Sequence, residues 1–164
     1  MRRPVLGVIG TGKTAPGLEE LALEVGRQIA RCGAILVCGG LGGVMEAAAR
    51  GAKEAGGITL GILPGAGPDD ANRYIDIPVA TNMGQARNAV IVHTADALIA
   101  VDGEYGTLSE MAMALKIGKP VIALEPRFSV PGLVVVKQPK EAVEEAISFV
   151  RARCPRLWDA QTGW

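Results

Sequence analysis

The 164-residue sequence is poor in the groups that build metal centres and disulfide frameworks. A single histidine, His93, excludes a His-rich metal site, and no metal ligand set is expected. The three cysteines, Cys32, Cys38 and Cys154, cannot all pair and lack metal-ligand spacing, so reduced thiols in a cytoplasmic setting are expected. No apolar stretch reaches the ~20 residues that span a bilayer. The run behind Arg2-Arg3 is short, broken by glycine and followed by Lys13, which argues against an export signal. Formal net charge is +0, with Lys and Arg scattered along the chain. Neither nucleic acid nor an anionic membrane is therefore expected as partner.

What the chain has in excess is glycine, 22 residues, gathered at the ends of apolar runs. With 49% hydrophobic and 21% charged residues, it has the composition of one globular domain spanning 1–164. Apolar runs and amphipathic stretches alternate. Strands are predicted at Pro4–Ile9, Ala34–Cys38, Ile58–Leu63, Ala95–Val101 and Pro120–Leu124, with a further one at Leu133–Val136. Tyr74–Val79 reads as a short strand or merely extended chain. Helices are predicted at Leu18–Arg31, Val44–Ala55, Met83–His93 and Thr107–Ile117, and from Lys140 to about Arg153. The tail after Cys154, with Trp158 and Trp164, has no clear element. Alternating strands and helices with continuously apolar strands imply an α/β protein. The expected form is a Rossmann-like three-layer sandwich, a parallel sheet with helices on both faces, which binds ligands at the carboxyl ends of its strands.

Three glycine-bearing corners fall at such ends. The stretch Gly103-Glu104-Tyr105-Gly106-Thr107 follows a buried strand and opens a helix, whose free N–H groups and positive dipole end favour an anion such as phosphate. Glu110, one turn on, would repel a phosphate, so the ligand should also carry a part that needs a negative partner, such as a sugar or a developing cation. Gly39, Gly40, Gly42 and Gly43 place four glycines in five positions, more than a tight turn requires. Gly10-Thr11-Gly12-Lys13 forms the third corner. Gly7 to Thr14 also satisfies the Walker A pattern literally. Against a P-loop, Val8 and Ile9 continue the strand, and Pro16-Gly17 separates Lys13 from the helical pattern. Arg87, within Gln85-Ala86-Arg87-Asn88, reads either as a phosphate-binding guanidinium or as a surface arginine. His93 reads as a cap or packed side chain, Cys38 as a small buried residue, and Asp96 and Tyr74 have no assignable role.

Taken together, Cys38-Gly39-Gly40 to Gly51, Gln85-Ala86-Arg87-Asn88, and Gly103-Glu104-Tyr105-Gly106-Thr107-Leu108-Ser109-Glu110 resemble the LONELY GUY-type proteins. These were once labelled possible lysine decarboxylases and include cytokinin riboside 5′-monophosphate phosphoribohydrolases. The resemblance covers roughly Val5 to Leu124. The hallmark there is Pro-Gly-Gly-x-Gly-Thr-x-x-Glu; here Asp102 stands for the proline and Glu104 for the second glycine, and Asn88 follows Arg87 where the hydrolases have lysine. These departures point to a sister group similar to the molybdenum-cofactor carrier proteins. By that resemblance the helix start holds a 5′-phosphate, while Arg87 and Glu110 flank the ribose and its N-glycosidic bond as the catalytic pair. Cleavage builds oxocarbenium character that a carboxylate stabilises. The implied ligand is a phosphorylated, nucleotide-like small molecule, hydrolysed or only bound, with no required cofactor. The alternative is a carrier without hydrolase activity, its cargo the molybdenum cofactor, a phosphate-bearing pterin. A P-loop triphosphatase is the third reading. The resemblance also implies a homo-oligomer, dimer or tetramer, for which the apolar helix Met111 to Leu115 could supply the interface.

Overall fold

The computed structural model describes residues 2–13 and 15–155. Thr14 and the tail with Trp158 and Trp164 lie outside the described residues. Seven strands form one sheet in the order β4-β3-β2-β1-β5-β6-β7. They are β1 (Val5–Gly10), β2 (Ile35–Cys38), β3 (Ile58–Leu63), β4 (Ile77–Ala80), β5 (Ala97–Val101), β6 (Val121–Leu124) and β7 (Val134–Val135). Every pairing is parallel. The helices are α1 (Pro16–Arg31), α2 (Val44–Glu54), α3 (Arg87–Thr94), α4 (Tyr105–Lys116) and α5 (Pro139–Arg153).

Period-two alternation divides the core. Leu6, Val8, Ile99 and Val101 face α1, α2 and α5 on one side of the sheet. Ile9, Leu98 and Ala100 face α3 and α4 on the other. This is the expected three-layer arrangement, with every residue of β5 and β6 buried. Helices α1 and α2 approach closely because glycine stands at their crossing. A Cβ on Gly26 would collide with the Ala48 carbonyl oxygen, and one on Gly51 with that of Leu23.

The chain builds the sheet outward from β1 to β4, then returns to pair β5 with β1, Gly10 lying beside Val101. The loops after β1 and β5 therefore leave the sheet in opposite directions from adjacent strands, and a crevice opens between them.

Several boundaries differ from the sequence expectation. Helix α1 begins at Pro16, because proline without an N–H is suited to a helix's first position. Pro16 and Gly17 thus belong to the helix, while Lys13 stays outside it. With Val8 and Ile9 inside β1, the loop is not a P-loop, in which the lysine opens the helix. Met83–His93 is not one helix: a single 3-10 turn, Gly84–Ala86, leads into α3. Tyr74–Val79 resolves into the edge strand β4, and β7 keeps only two of the four expected residues. Asp96 acquires a role as a tie at the sheet's base, accepting from the Val5 amide at 2.8 Å and from both terminal nitrogens of Arg2. His93 is exposed, and the carbonyl ends of α3 are instead capped by Lys119, whose Nζ donates to Val92, His93 and Ala95 oxygens. In α4, Met111 and Ala114 are buried against the chain's own sheet and are not free to form an interface.

Candidate functional site

A cleft of about 210 Å³ opens at the carboxyl ends of β1, β2 and β5. Gly10, Thr11 and Gly12 form one wall, and Gly39 and Met45 contribute from the β2 side. Gln85, Arg87 and Asn88 come from the start of α3, and Glu104, Gly106, Thr107 and Glu110 from that of α4. Val8 and Ile9 complete the lining.

Helix α4 begins at Tyr105, two residues before the expected Thr107, and its first backbone bond runs from the Leu108 amide to the Glu104 oxygen at 3.0 Å. The amides of Tyr105, Gly106 and Thr107 thus have no acceptor within the helix. Gly103 makes the approach possible: its φ is 127°, and a Cβ there would run into the Thr107 side chain. Asp102 just before it has φ 50°, a conformation closed to proline, whose ring holds φ near about −65°. Proline therefore does not fit position 102 of this turn. Asp102 is fixed by Arg127, whose Nε and Nη2 donate to its two oxygens at 2.7 and 2.9 Å. Arg127 carries no motif of its own, so sequence reasoning missed it.

The floor of the cleft holds two buried ionisable groups. Arg87 is 9% exposed; its Nη2 donates to the Gly39 oxygen at 3.4 Å and its Nη1 to Asn88 Oδ1, while its Nε has no partner. Burial pulls its pKa down, opposed by the attraction of Glu110. A cation at a helix start also opposes the dipole. Glu110 is 6% exposed and has no hydrogen-bond partner among the described residues. Burial pushes its pKa up to about 8, with Arg87 opposing the rise. An arginine and a glutamate kept buried with unused hydrogen-bonding capacity, both lining one cleft, are costly to the free fold and suited to a polar ligand.

Nine of the fifteen residues singled out in the sequence line this cleft: Gly10, Thr11, Gly12, Gly39, Arg87, Glu104, Gly106, Thr107 and Glu110. The other six lie outside the lining. Gly43, with φ 64°, lets α2 start directly beneath the first corner, where a Cβ would collide with the Thr11 oxygen; the Val44 amide donates to that oxygen at 3.0 Å. A Cβ on Gly40 would press on Leu63, and Gly42 lies beside Gly12. Part of the second glycine cluster therefore serves packing between corners. The Tyr105 side chain is 80% exposed and lies against Phe128, ring centres 5.8 Å apart. Gly103 acts through backbone shape, and Lys13 reaches the lip, its Nζ 2.9 Å from Glu104. Of the residues missed, Gln85 and Asn88 flank Arg87 in the quoted motif and Met45 follows the glycine cluster, whereas Val8 and Ile9 carry only a strand signal. Cys38 is structural. It is fully buried, with its pKa pushed up to about 11, and its sulfur accepts from the Gly40 amide at 3.4 Å.

The profile of the SLOG cluster4 family matches residues 3–152. The chain is 35% identical to a cytokinin riboside 5′-monophosphate phosphoribohydrolase of Mycobacterium tuberculosis, over 71% of this chain and 67% of that protein. Among solved structures, the molybdenum cofactor binding protein of Rippkaea orientalis superposes with a TM-score of 0.86 at 37% identity, covering 92% of this chain and 99% of that one. The Moco carrier protein of Chlamydomonas reinhardtii does so with a TM-score of 0.82 at 38% identity, covering 93% and 99%.

Proposed function

The chain belongs to the SLOG cluster4 family, and from that premise we propose that its cleft binds a phosphorylated, nucleotide-like small molecule, with the phosphate-bearing pterin of the molybdenum cofactor as cargo. The observation that carries this reading is the convergence of free Gly106 and Thr107 amides with a buried Arg87 whose Nε lacks a partner. The helix start would seat the phosphate, with the dipole and main-chain donors favouring the anion. Arg87 would donate to the same ligand beyond the phosphate. Glu110 would meet the ring system, accepting from an N–H when ionised or donating when protonated. The two cofactor-binding structures that cover nearly this whole chain support the choice of cargo.

The test is to purify the full chain from a host that makes the cofactor, then measure molybdenum by mass spectrometry and pterin by fluorescence after release. Near-stoichiometric pterin that disappears in Arg87→Ala is expected. Absence of pterin, together with no thermal stabilisation by any phosphorylated nucleotide, would overturn the reading.

A second reading is favoured by one observation, the buried Glu110 beside Arg87, together with the related phosphoribohydrolase. The chain would then hydrolyse a nucleoside 5′-monophosphate to free base and ribose 5-phosphate, with Glu110 stabilising the sugar cation or protonating the departing base. Chromatography over a panel of nucleoside monophosphates should show base release that Glu110→Gln abolishes. Self-association in a cytoplasmic setting belongs to the same proposal, and sedimentation at micromolar concentration checks the oligomer. Among the described residues, no helix is long and apolar enough to cross a membrane.

A further inference from the structure

The lip of the cleft carries charges that ligand binding, as described above, does not use. Glu104 is the residue immediately before α4, yet its side chain makes no capping bond to that helix. Its Oε1 lies instead 2.9 Å from Lys13 Nζ and 4.0 Å from Arg127 Nη1. Arg127 is anchored from behind by both oxygens of Asp102. One carboxylate thus sits between two cations, one from the loop after β1 and one from the loop after β6. Along α4, the Gly106 and Thr107 amides lie between Glu104 at the half-exposed lip and Glu110 in the buried floor. A phosphate seated on those amides, with its organic body toward Arg87 and Glu110, turns its far side toward Glu104.

We propose that Glu104 is a specificity-determining residue that restricts the cleft to ligands ending in a single phosphate, because its carboxylate occupies the place between Lys13 and Arg127 that a second phosphate would take. The inference rests on the phosphate-binding reading of the cleft. It explains how an acid is tolerated beside an anion site: Lys13 and Arg127 offset its charge, so the first phosphate meets little net repulsion. A second phosphate, carried outward past the first, would meet that carboxylate directly and find both cations already engaged. Removing the charge while keeping the shape releases Lys13 and the Nη1 of Arg127, whose Nε and Nη2 stay on Asp102, and turns the lip into a diphosphate subsite. Lys13 and Glu104 are both solvent-exposed, so their substitution leaves the core untouched.

The experiment is calorimetric titration of the full chain with AMP and ADP, and with inorganic phosphate and pyrophosphate as base-free probes. It compares wild type, Glu104→Gln, and Glu104→Gln combined with Lys13→Ala. Wild type is expected to prefer the monophosphate of each pair by ~10-fold, and Glu104→Gln to raise affinity for ADP and pyrophosphate by a similar factor. Adding Lys13→Ala should remove that gain. A wild type that binds ADP as tightly as AMP, or a ratio that Glu104→Gln leaves unchanged, overturns the role of Glu104 while the cleft remains a phosphate site. Failure of every variant to bind any phosphate probe overturns the role of Glu104 and, where the purified chain retains no pterin either, the phosphate-binding reading with it.

Discussion

Replacing Glu110 by glutamine keeps the shape of the side chain and removes its titration, and the structure sets both the sign and the size of the result. The native pKa, about 8, lies above the ordinary value of 4.5, chiefly through burial. Between those two values the native state holds a proton that the unfolded chain has lost, so stability falls as pH rises through this window. At ~1.4 kcal/mol per pH unit, ionisable Glu110 costs the free protein about 3 kcal/mol at pH 7, and under about 1 kcal/mol at pH 5. The glutamine variant should therefore melt roughly 6–12 °C above wild type at pH 7. The two curves should converge near pH 5. Circular-dichroism melts from pH 5 to 8.5 in the absence of ligand provide the assay. Equal melting temperatures across the range would show that Glu110 is solvated in the cleft as an ordinary carboxylate. Because this variant is expected to be more stable, any loss of base release or ligand binding in it reports chemistry and not unfolding.

Other perturbations separate packing from site. Gly26→Ala drives a methyl group into the α2 backbone and should cost more than about 3 kcal/mol in denaturant unfolding. Gly39→Ala instead places its Cβ 2.6 Å from Arg87 Nη2 and Met45 Sδ, ends of flexible side chains. It should stay within about 1–2 kcal/mol of wild-type stability while displacing Arg87, so ligand affinity measured by calorimetry falls. Asp102→Asn keeps the positive φ but loses the bidentate clasp on Arg127, and faster amide exchange over residues 125–132 is expected. Thiol reagents should label exposed Cys154 in the native protein and reach Cys38 only after unfolding, followed by mass spectrometry of the digested chain.

The glycine corner at Gly103–Thr107 was legible because a buried strand, a turn and a helix start form a local pattern, whereas the pattern left Arg87 between a phosphate ligand and a surface residue, and only the family resemblance marked it as a site residue. The departure at Asp102 was visible in the chain, but its cause was not, since a φ of 50° is a property of the folded turn. Lys13 read as a member of the ligand loop, and only the fold showed it tied to Glu104. Likewise Gly40, Gly42 and Gly43 looked equivalent to Gly39, although only Gly39 reaches the cleft.

Sequence by itself determined the α/β alternation, the apolar strands and the three glycine corners. These depend on periodicity, backbone freedom and helix-end donors, all set within a few residues. Tertiary structure alone decided that β1 and β5 become neighbours, bringing Arg87 and Glu110 into one cleft. It alone also raised the Glu110 pKa and stretched the Lys13–Glu104–Arg127–Asp102 chain of charges across the lip. Those are effects of distance and desolvation between segments 23 to 91 residues apart in the chain, and no local pattern encodes them.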